Sequence, residues 1–493
     1  MVRKVLFLAV VALLAPPSAR ADVKPHSLCT DGMVLQQKMP VNIWGTADKG
    51  EKVTVTFRDK SASATTDDHG RWKVSLDSGA AGGPFPMTIA GNNKLDYQSV
   101  YVGEVWICSG QSNMQWEIYR CSKSDQQIAN DSPPNQTLRL FEVPRVPKAK
   151  PLDNIEAKWT DSDPKTLKPF SGVAYFFGRD LQAALKVPIG LINTNVGGTR
   201  AEAWTSREVL DGNPYYKNDV IKGKVNPNSP AALYNGMIYP LLNYRIKGAI
   251  WYQGESNAGQ AYRYRELFPM MIQNWRHDWG QGDFPFLFVQ LAPWLAVSKE
   301  PNESTWAELR EAQTMTLKLP HTGMAVITDF GHEMDIHPTP KQPVGERLGR
   351  IARAQVYGEK VAYSGPMFKG IRADGNKAVL SFDHGEGLMT RELVPTEMMK
   401  NEKTGQVGYA WRVKEGSDNA ELVGFTACGA DKKFHNAKAA IHGNTVVVTC
   451  DAVPNIVAVR YGWANHPICN LFNKDGLPAS PFRTDDFPGI TKK

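Results

Sequence analysis

The spacing of apolar residues changes twice along the chain. From about Val23 to Ser99 apolar and polar residues alternate in short runs: Val41-Asn-Ile-Trp44, Lys52-Val-Thr-Val-Thr-Phe57, Arg71-Trp-Lys-Val-Ser75 and Pro86-Met-Thr-Ile-Ala90. Gly45, Asp67-Asp68-His69-Gly70 and Gly91-Asn92 separate them, and runs this short and regular predict an antiparallel sandwich. After residue 100 the pattern becomes continuous apolar runs alternating with helical spacing. Strands are predicted at Val102–Cys108, Val187–Thr194, Ile246–Tyr252, Phe284–Leu291 and Gly323–Thr328. Helices are predicted over Phe170–Val187, Arg263–Trp275, Ser304–Leu317 and Pro343–Tyr357. Buried strands alternating with helices give a parallel sheet covered on both faces. From Phe368 to Arg460 the β pattern returns, with Lys377–Phe382, Glu421–Thr426, Asn444–Thr449 and Ile456–Arg460, before an aromatic and Pro-rich tail that folds back on the body.

In a parallel sheet ligands sit at the carboxyl ends of the strands. Four of the five strand ends carry polar clusters: Gly110-Gln-Ser-Asn-Met114, Asn195-Val-Gly-Gly-Thr199, Gln253-Gly-Glu-Ser-Asn257 and Asp329 through Pro338. Ester hydrolysis by serine needs a hydroxyl, a base, a group that orients the base, and donors for the oxyanion. Ser112, at a strand end and a helix start, is the candidate hydroxyl, although a serine there also suits a plain N-cap. His337 is the candidate base, kept on a loop by Pro338, and Asp335 stands two residues away to hold it. Gly197 and Gly198 offer backbone N–H groups, Ser112 its own, and Gln253 a side-chain amide. Arg200, Glu255 and Trp251 are the candidate substrate contacts. For each a plainer role competes: an ion pair with Glu202 or a neighbouring acid for Arg200, a carboxylate bonding loop N–H groups for Glu255, and core packing for Trp251 and Trp116. His332 and His337 are five apart rather than the four a zinc-binding helix requires, so no metal is expected.

Composition narrows the class. With 493 residues the chain exceeds one ordinary core. Residues 1–21 read as a secretory signal: Arg3 and Lys4, the apolar run Val5 to Leu14, then Ala19-Arg20-Ala21. Removing them takes the net charge from +7 to +4, too little to argue for nucleic acid. No later run is long enough to span a membrane, so a soluble periplasmic or secreted protein is expected. The six cysteines permit fifteen pairings, of which Cys428 with Cys450 is favoured because both lie in one β-rich segment. Asn135-Gln-Thr and Asn302-Glu-Ser are glycosylation sequons. The expected divisions are residues 1–21, 22–99, 100–360 and 361–493: signal, β-sandwich, α/β catalytic domain, and a β-rich region packed on it.

Gly110-Gln-Ser-Asn-Met114, Asn195-Val-Gly-Gly-Thr199, Trp251-Tyr-Gln-Gly-Glu-Ser-Asn257 and Asp335-Ile-His-Pro338, in this order, resemble the successive blocks of the sialate O-acetylesterase family, a branch of the SGNH hydrolases. The resemblance runs on to Gly462-Trp-Ala-Asn465 and Pro478 through Asp485. It implies a flavodoxin-like three-layer α/β/α domain with β-sandwich-like regions at both ends. It also implies cofactor-free removal of O-acetyl groups from sialic acid, Ser112 as nucleophile and His337 as base. The oxyanion donors would be Ser112, Gly198 or Gly197, and Gln253 where the superfamily has asparagine. The superfamily's acid stands three residues before the histidine, a position held here by Met334; Asp335 is therefore read from its chemistry, with Glu255 as the alternative. Acetyl xylan or another acetylated glycan is the alternative substrate, and a non-catalytic glycan-binding protein the alternative class.

Overall fold

The computed structural model describes residues 22–219, 221 and 223–492; the expected signal segment lies outside the described residues. The fold is mixed α/β, a large central sheet with additional β-sheets before and after it. Across the centre the strands run Trp159–Ser162, Asn135–Glu142, Ile189–Asn195, Lys94–Gly110, Gly248–Tyr252, Phe286–Val289 and Thr322–Ala325. The first pairing is antiparallel and the other five are parallel. Successive side chains of a strand point to opposite faces, and here both faces are apolar. Val105 and Ile107 join one buried cluster with the helices Ala261–Trp279 and Thr305–Thr316. Trp106 and Cys108 join another with Gly172–Leu185 and Gln342–Gln355. The hydroxyls of Ser171 and Ser304 cap two of these helices, accepting from Ala174 and Ala307 N–H.

The five predicted central strands and four helices are present. Two strands on one side, Asn135–Glu142 and Trp159–Ser162, were not predicted. Lys94–Gly110 is also 17 residues long and crosses residues 99 and 100. Its first half pairs antiparallel with Gly82–Ala90, and its second half is the middle of the parallel sheet. The N-terminal β region and the central sheet thus share one strand and one apolar cluster, in which Val53 and Ile89 join Trp251 and Phe268.

The C-terminal part forms three four-stranded sheets. In one, the hairpin of Met389–Lys400 and Val407–Asp418 pairs with Gly331–His332, so this region hydrogen-bonds to the loop that carries His337. All six cysteines are buried free thiols, which corrects the Cys428–Cys450 pairing. Cys428 ends a strand of one sheet and Cys450 follows a strand of another, where its Sγ–H lies 3.6 Å from Asn436 O. Among the described residues no helix is long and apolar enough to cross a membrane.

Candidate active site

Gly110 turns the corner where the longest strand ends. Its φ is +142°, and a Cβ there would lie 2.2 Å from the Tyr252 carbonyl oxygen on the neighbouring strand, so a side chain is excluded. Gln111 secures the turn. Its N–H donates to Tyr252 O, and its Oε1 accepts from Ser256 N–H at 3.3 Å. The single-turn helix Ser112–Gln115 follows, with Met114 fully buried beneath it.

His337 lies 225 positions later in the chain, yet its Nε2 is 2.8 Å from Ser112 Oγ. Its Nδ1 is 3.0 Å from Asp335 Oδ1, and the same oxygen accepts the His337 backbone N–H at 2.9 Å. Burial pushes the Asp335 carboxyl up, but the hydrogen bonds and charge of His337 outweigh it and hold it below the ordinary carboxylate value. An ionised carboxylate only accepts, so the tautomer with hydrogen on Nδ1 follows. Nε2 is then free to accept the Ser112 proton. Asp335, rather than Glu255, holds the histidine.

Asn113, next to the serine, ties three segments together. Its Nδ2 donates to Glu255 Oε1 at 2.6 Å and to Ile336 O at 3.1 Å, and its Oδ1 accepts from Lys341 Nζ at 2.6 Å. Burial raises the Glu255 carboxyl, partly offset by Asn113, and lowers the fully buried Lys341 ammonium to about 8. Glu255 is only partly buried and bonds Asn113 through Oε1, while among the described residues its Oε2 has no partner; it is Asn113 that reaches the histidine loop, at Ile336 O.

Gly197 sits against the serine: a Cβ there would be 3.2 Å from Ser112 Cβ. Its N–H, however, is committed to Gln115 Oε1 at 2.8 Å. Gly198 has φ +71° with open space on its Cα side, and among the described residues its N–H has no partner. It is thus the available member of the pair. Gln253 is fully buried, its Nε2 donating to Thr199 O and Asn257 Oδ1 while its Oε1 accepts from Tyr264 Oη. Every polar atom of that amide is occupied inside the fold, which corrects its expected role as an oxyanion donor. Trp251 is likewise core, fully buried against Trp204, Phe268 and Trp275, and not a substrate contact. Arg200 is exposed beyond the Gly197–Gly198 turn. The ion pair with Glu202 does not form; that carboxylate accepts from Asn257 Nδ2 at 2.9 Å.

Asn113, Trp116 and Lys341 were missed as site residues. The first two lie within or beside the Gly110–Met114 block, where their position was the available signal. For Lys341, four residues beyond His337, the sequence carries none. The arrangement supports acyl transfer, with a hydroxyl bonded to an imidazole, a carboxylate behind the imidazole, and the Gly197–Gly198 turn set against the serine.

Comparison with known proteins places this geometry in context. Residues 102–353 match the family model described as carbohydrate esterase, sialic acid-specific acetylesterase. The sialate O-acetylesterase of Homo sapiens is 31% identical, covering 97% of this chain and 96% of its own, and that of Pongo abelii is 30% identical with the same coverage. A crystal structure of a carbohydrate acetylesterase from Xanthomonas citri superposes with a TM-score of 0.83 at 40% identity, covering 94% of this chain and all of the other.

Proposed function

Because the chain belongs to the sialic acid-specific acetylesterase family of carbohydrate esterases, we propose that its Ser112, His337 and Asp335 hydrolyse O-acetyl esters of sialic acid through an acyl-enzyme. The protein is a sialate O-acetylesterase by family, a carboxylic ester hydrolase. The 9-O-acetyl group is the substrate position we favour. The observation that carries the mechanism is the 2.8 Å contact between Ser112 Oγ and His337 Nε2.

Ser112 Oγ attacks the acetyl carbonyl as His337 Nε2 takes its proton, and Asp335 keeps the ring in the tautomer that can do so. The oxyanion is received by the Ser112 and Gly198 N–H groups. Collapse of the tetrahedral species breaks the ester bond, and His337 returns the proton to the departing sugar hydroxyl. Water, deprotonated by the same imidazole, then releases acetate. We read the central domain as a three-layer SGNH hydrolase, a reading supported by the parallel strands with helices on both faces. Export is also part of the proposal and rests on Arg3, Lys4, the apolar run to Leu14 and Ala19-Arg20-Ala21.

The test is acetate release from 9-O-acetyl sialic acid and acetyl xylan, measured side by side for the wild type, Ser112→Ala and His337→Ala. Both variants are expected to lose about a thousandfold or more in kcat on the sialic acid ester. A higher kcat/KM on xylan overturns the substrate assignment; undiminished rates in either variant overturn the mechanism.

A further inference from the structure

Two hydrogen bonds do not fix an imidazole. The bonds from His337 Nδ1 to Asp335 and from Nε2 to Ser112 act only at the two nitrogens, and the ring can still rock about its Cβ–Cγ bond. Rocking swings the Nε2 lone pair away from the serine hydroxyl and weakens that bond steeply as its angle closes. A third restraint has to act on the ring face.

Trp116 supplies a surface there. Its indole lies flat against the imidazole, with ring centroids 4.4 Å apart and planes inclined by 17°. The indole is itself held on several sides. Its Nε1–H donates to Arg120 O at 2.9 Å, and the Arg120 guanidinium carbon lies 3.8 Å from its ring centroid. Its backbone carbonyl accepts the Gly172 N–H at the start of the helix Gly172–Leu185. Only 6% of the residue is exposed. Such a ring is a fixed wall rather than a mobile sugar platform.

We propose that Trp116 is a positioning residue of the esterase reaction, whose indole face stops the rocking of the His337 ring and so keeps Nε2 aimed at Ser112, with Arg120 packing on the indole to keep it in place. The inference rests on the Ser112–His337 mechanism above. It assigns Trp116 no contact with substrate. Its loss should therefore fall on the chemical step and not on binding.

The experiment uses the full chain and 4-nitrophenyl acetate, an ester too small to need a sugar subsite, with Trp116→Phe, Trp116→Leu, Trp116→Met, Arg120→Gln and Ser112→Ala. Trp116→Leu and Trp116→Met keep an apolar filling but remove the flat face. Both are expected to lower kcat by about tenfold to a hundredfold with KM within about threefold, the size of a small misplacement of a catalytic group. Trp116→Phe restores a flat face and is expected to keep kcat within about threefold of wild type. Arg120→Gln should fall between the two. Equal losses in the Phe, Leu and Met variants, no loss in any, or a change carried by KM overturns the proposal. Thermal melts run alongside show which variants are folded, and the Leu and Met replacements test the same point independently. Full activity in Ser112→Ala would instead remove the mechanism itself, so the two failures are distinct.

Discussion

Asp335 presents one oxygen, Oδ1, to two donors of the same residue, the ring Nδ1 and the backbone N–H of His337. The short Asp335-Ile-His337 stretch therefore carries its own alignment, and the pair was legible in the sequence. Asp335→Asn replaces an acceptor-only carboxylate with an amide that can also donate to Nδ1 and so no longer selects the tautomer, and kcat should fall about 10²–10⁴-fold. Glu255→Gln keeps an acceptor for Asn113, and a loss of less than about tenfold in kcat is expected. Reversed magnitudes in the acetate-release assay would make Glu255 the orienting acid. Lys341 gives a stability test. Its ammonium drops from an ordinary 10.5 to about 8 through burial, so between pH 8 and 10.5 the unfolded chain holds a proton that the folded chain has released. Stability should therefore rise with pH across that window, by up to about 3 kcal/mol relative to Lys341→Met. Urea unfolding of both proteins at pH 7 and pH 10 measures it, and a constant difference contradicts it. The misread residues, Gln253 and Trp251, had suitable chemistry but face inward. Residue type tells what a group can donate or stack, whereas the packing of Tyr264, Asn257 and Phe268 decides where it points.

Among the elements, the strand Lys94–Gly110 and its terminal glycine do most to place the site. Gly110→Ala forces a Cβ into the Tyr252 backbone from an unfavourable φ, and a loss of about 3 kcal/mol or more is expected. Chemical denaturation checks this, and a variant as stable as wild type would mean that the corner can move. The histidine loop depends on a different element. Glu333 Oε1 accepts from Trp411 Nε1, and Oε2 from the Tyr409 N–H of the C-terminal hairpin, both at 3.1 Å. Long periodic elements were readable from spacing because helices and buried strands must keep one face apolar. The strand Trp159–Ser162 was not readable, since two of its four residues are only partly buried and its pattern lacks an apolar run. Where Lys94–Gly110 begins was also hidden, because its first half alternates partly buried and exposed positions as an ordinary sheet strand does.

At the scale of the molecule the central sheet and the C-terminal part are joined through buried polar anchors. Arg310 is fully buried and donates to the carbonyls of Leu291 and Ala292 on one side and of Ala464 and Asn465 on the other. The Gly462-Trp-Ala-Asn465 block is thus a docking strap, and a buried cation is what holds it. The tail continues over the same helix, with Arg483 paired to Glu311 and the Ile490 N–H donating to Glu308. Arg310→Met leaves the Leu291 and Ala464 carbonyls without a donor, while Ala292 O keeps Trp306 Nε1–H and Asn465 O keeps the Trp294 N–H, and a loss of about 3–5 kcal/mol in urea unfolding is expected. A loss below about 1 kcal/mol would show that the strap docks without it. The sequence by itself determined five of the central strands and the four helices between and after them, the polar clusters at strand ends and the Ser, His and Asp that meet there, because periodicity and short-range spacing are local properties. Tertiary structure alone decided that Gly197 is occupied while Gly198 is free, that Gln253 and Trp251 turn inward, and that Trp116 stacks on His337. Those facts depend on which distant segments pack together, and side-chain direction is set by that packing.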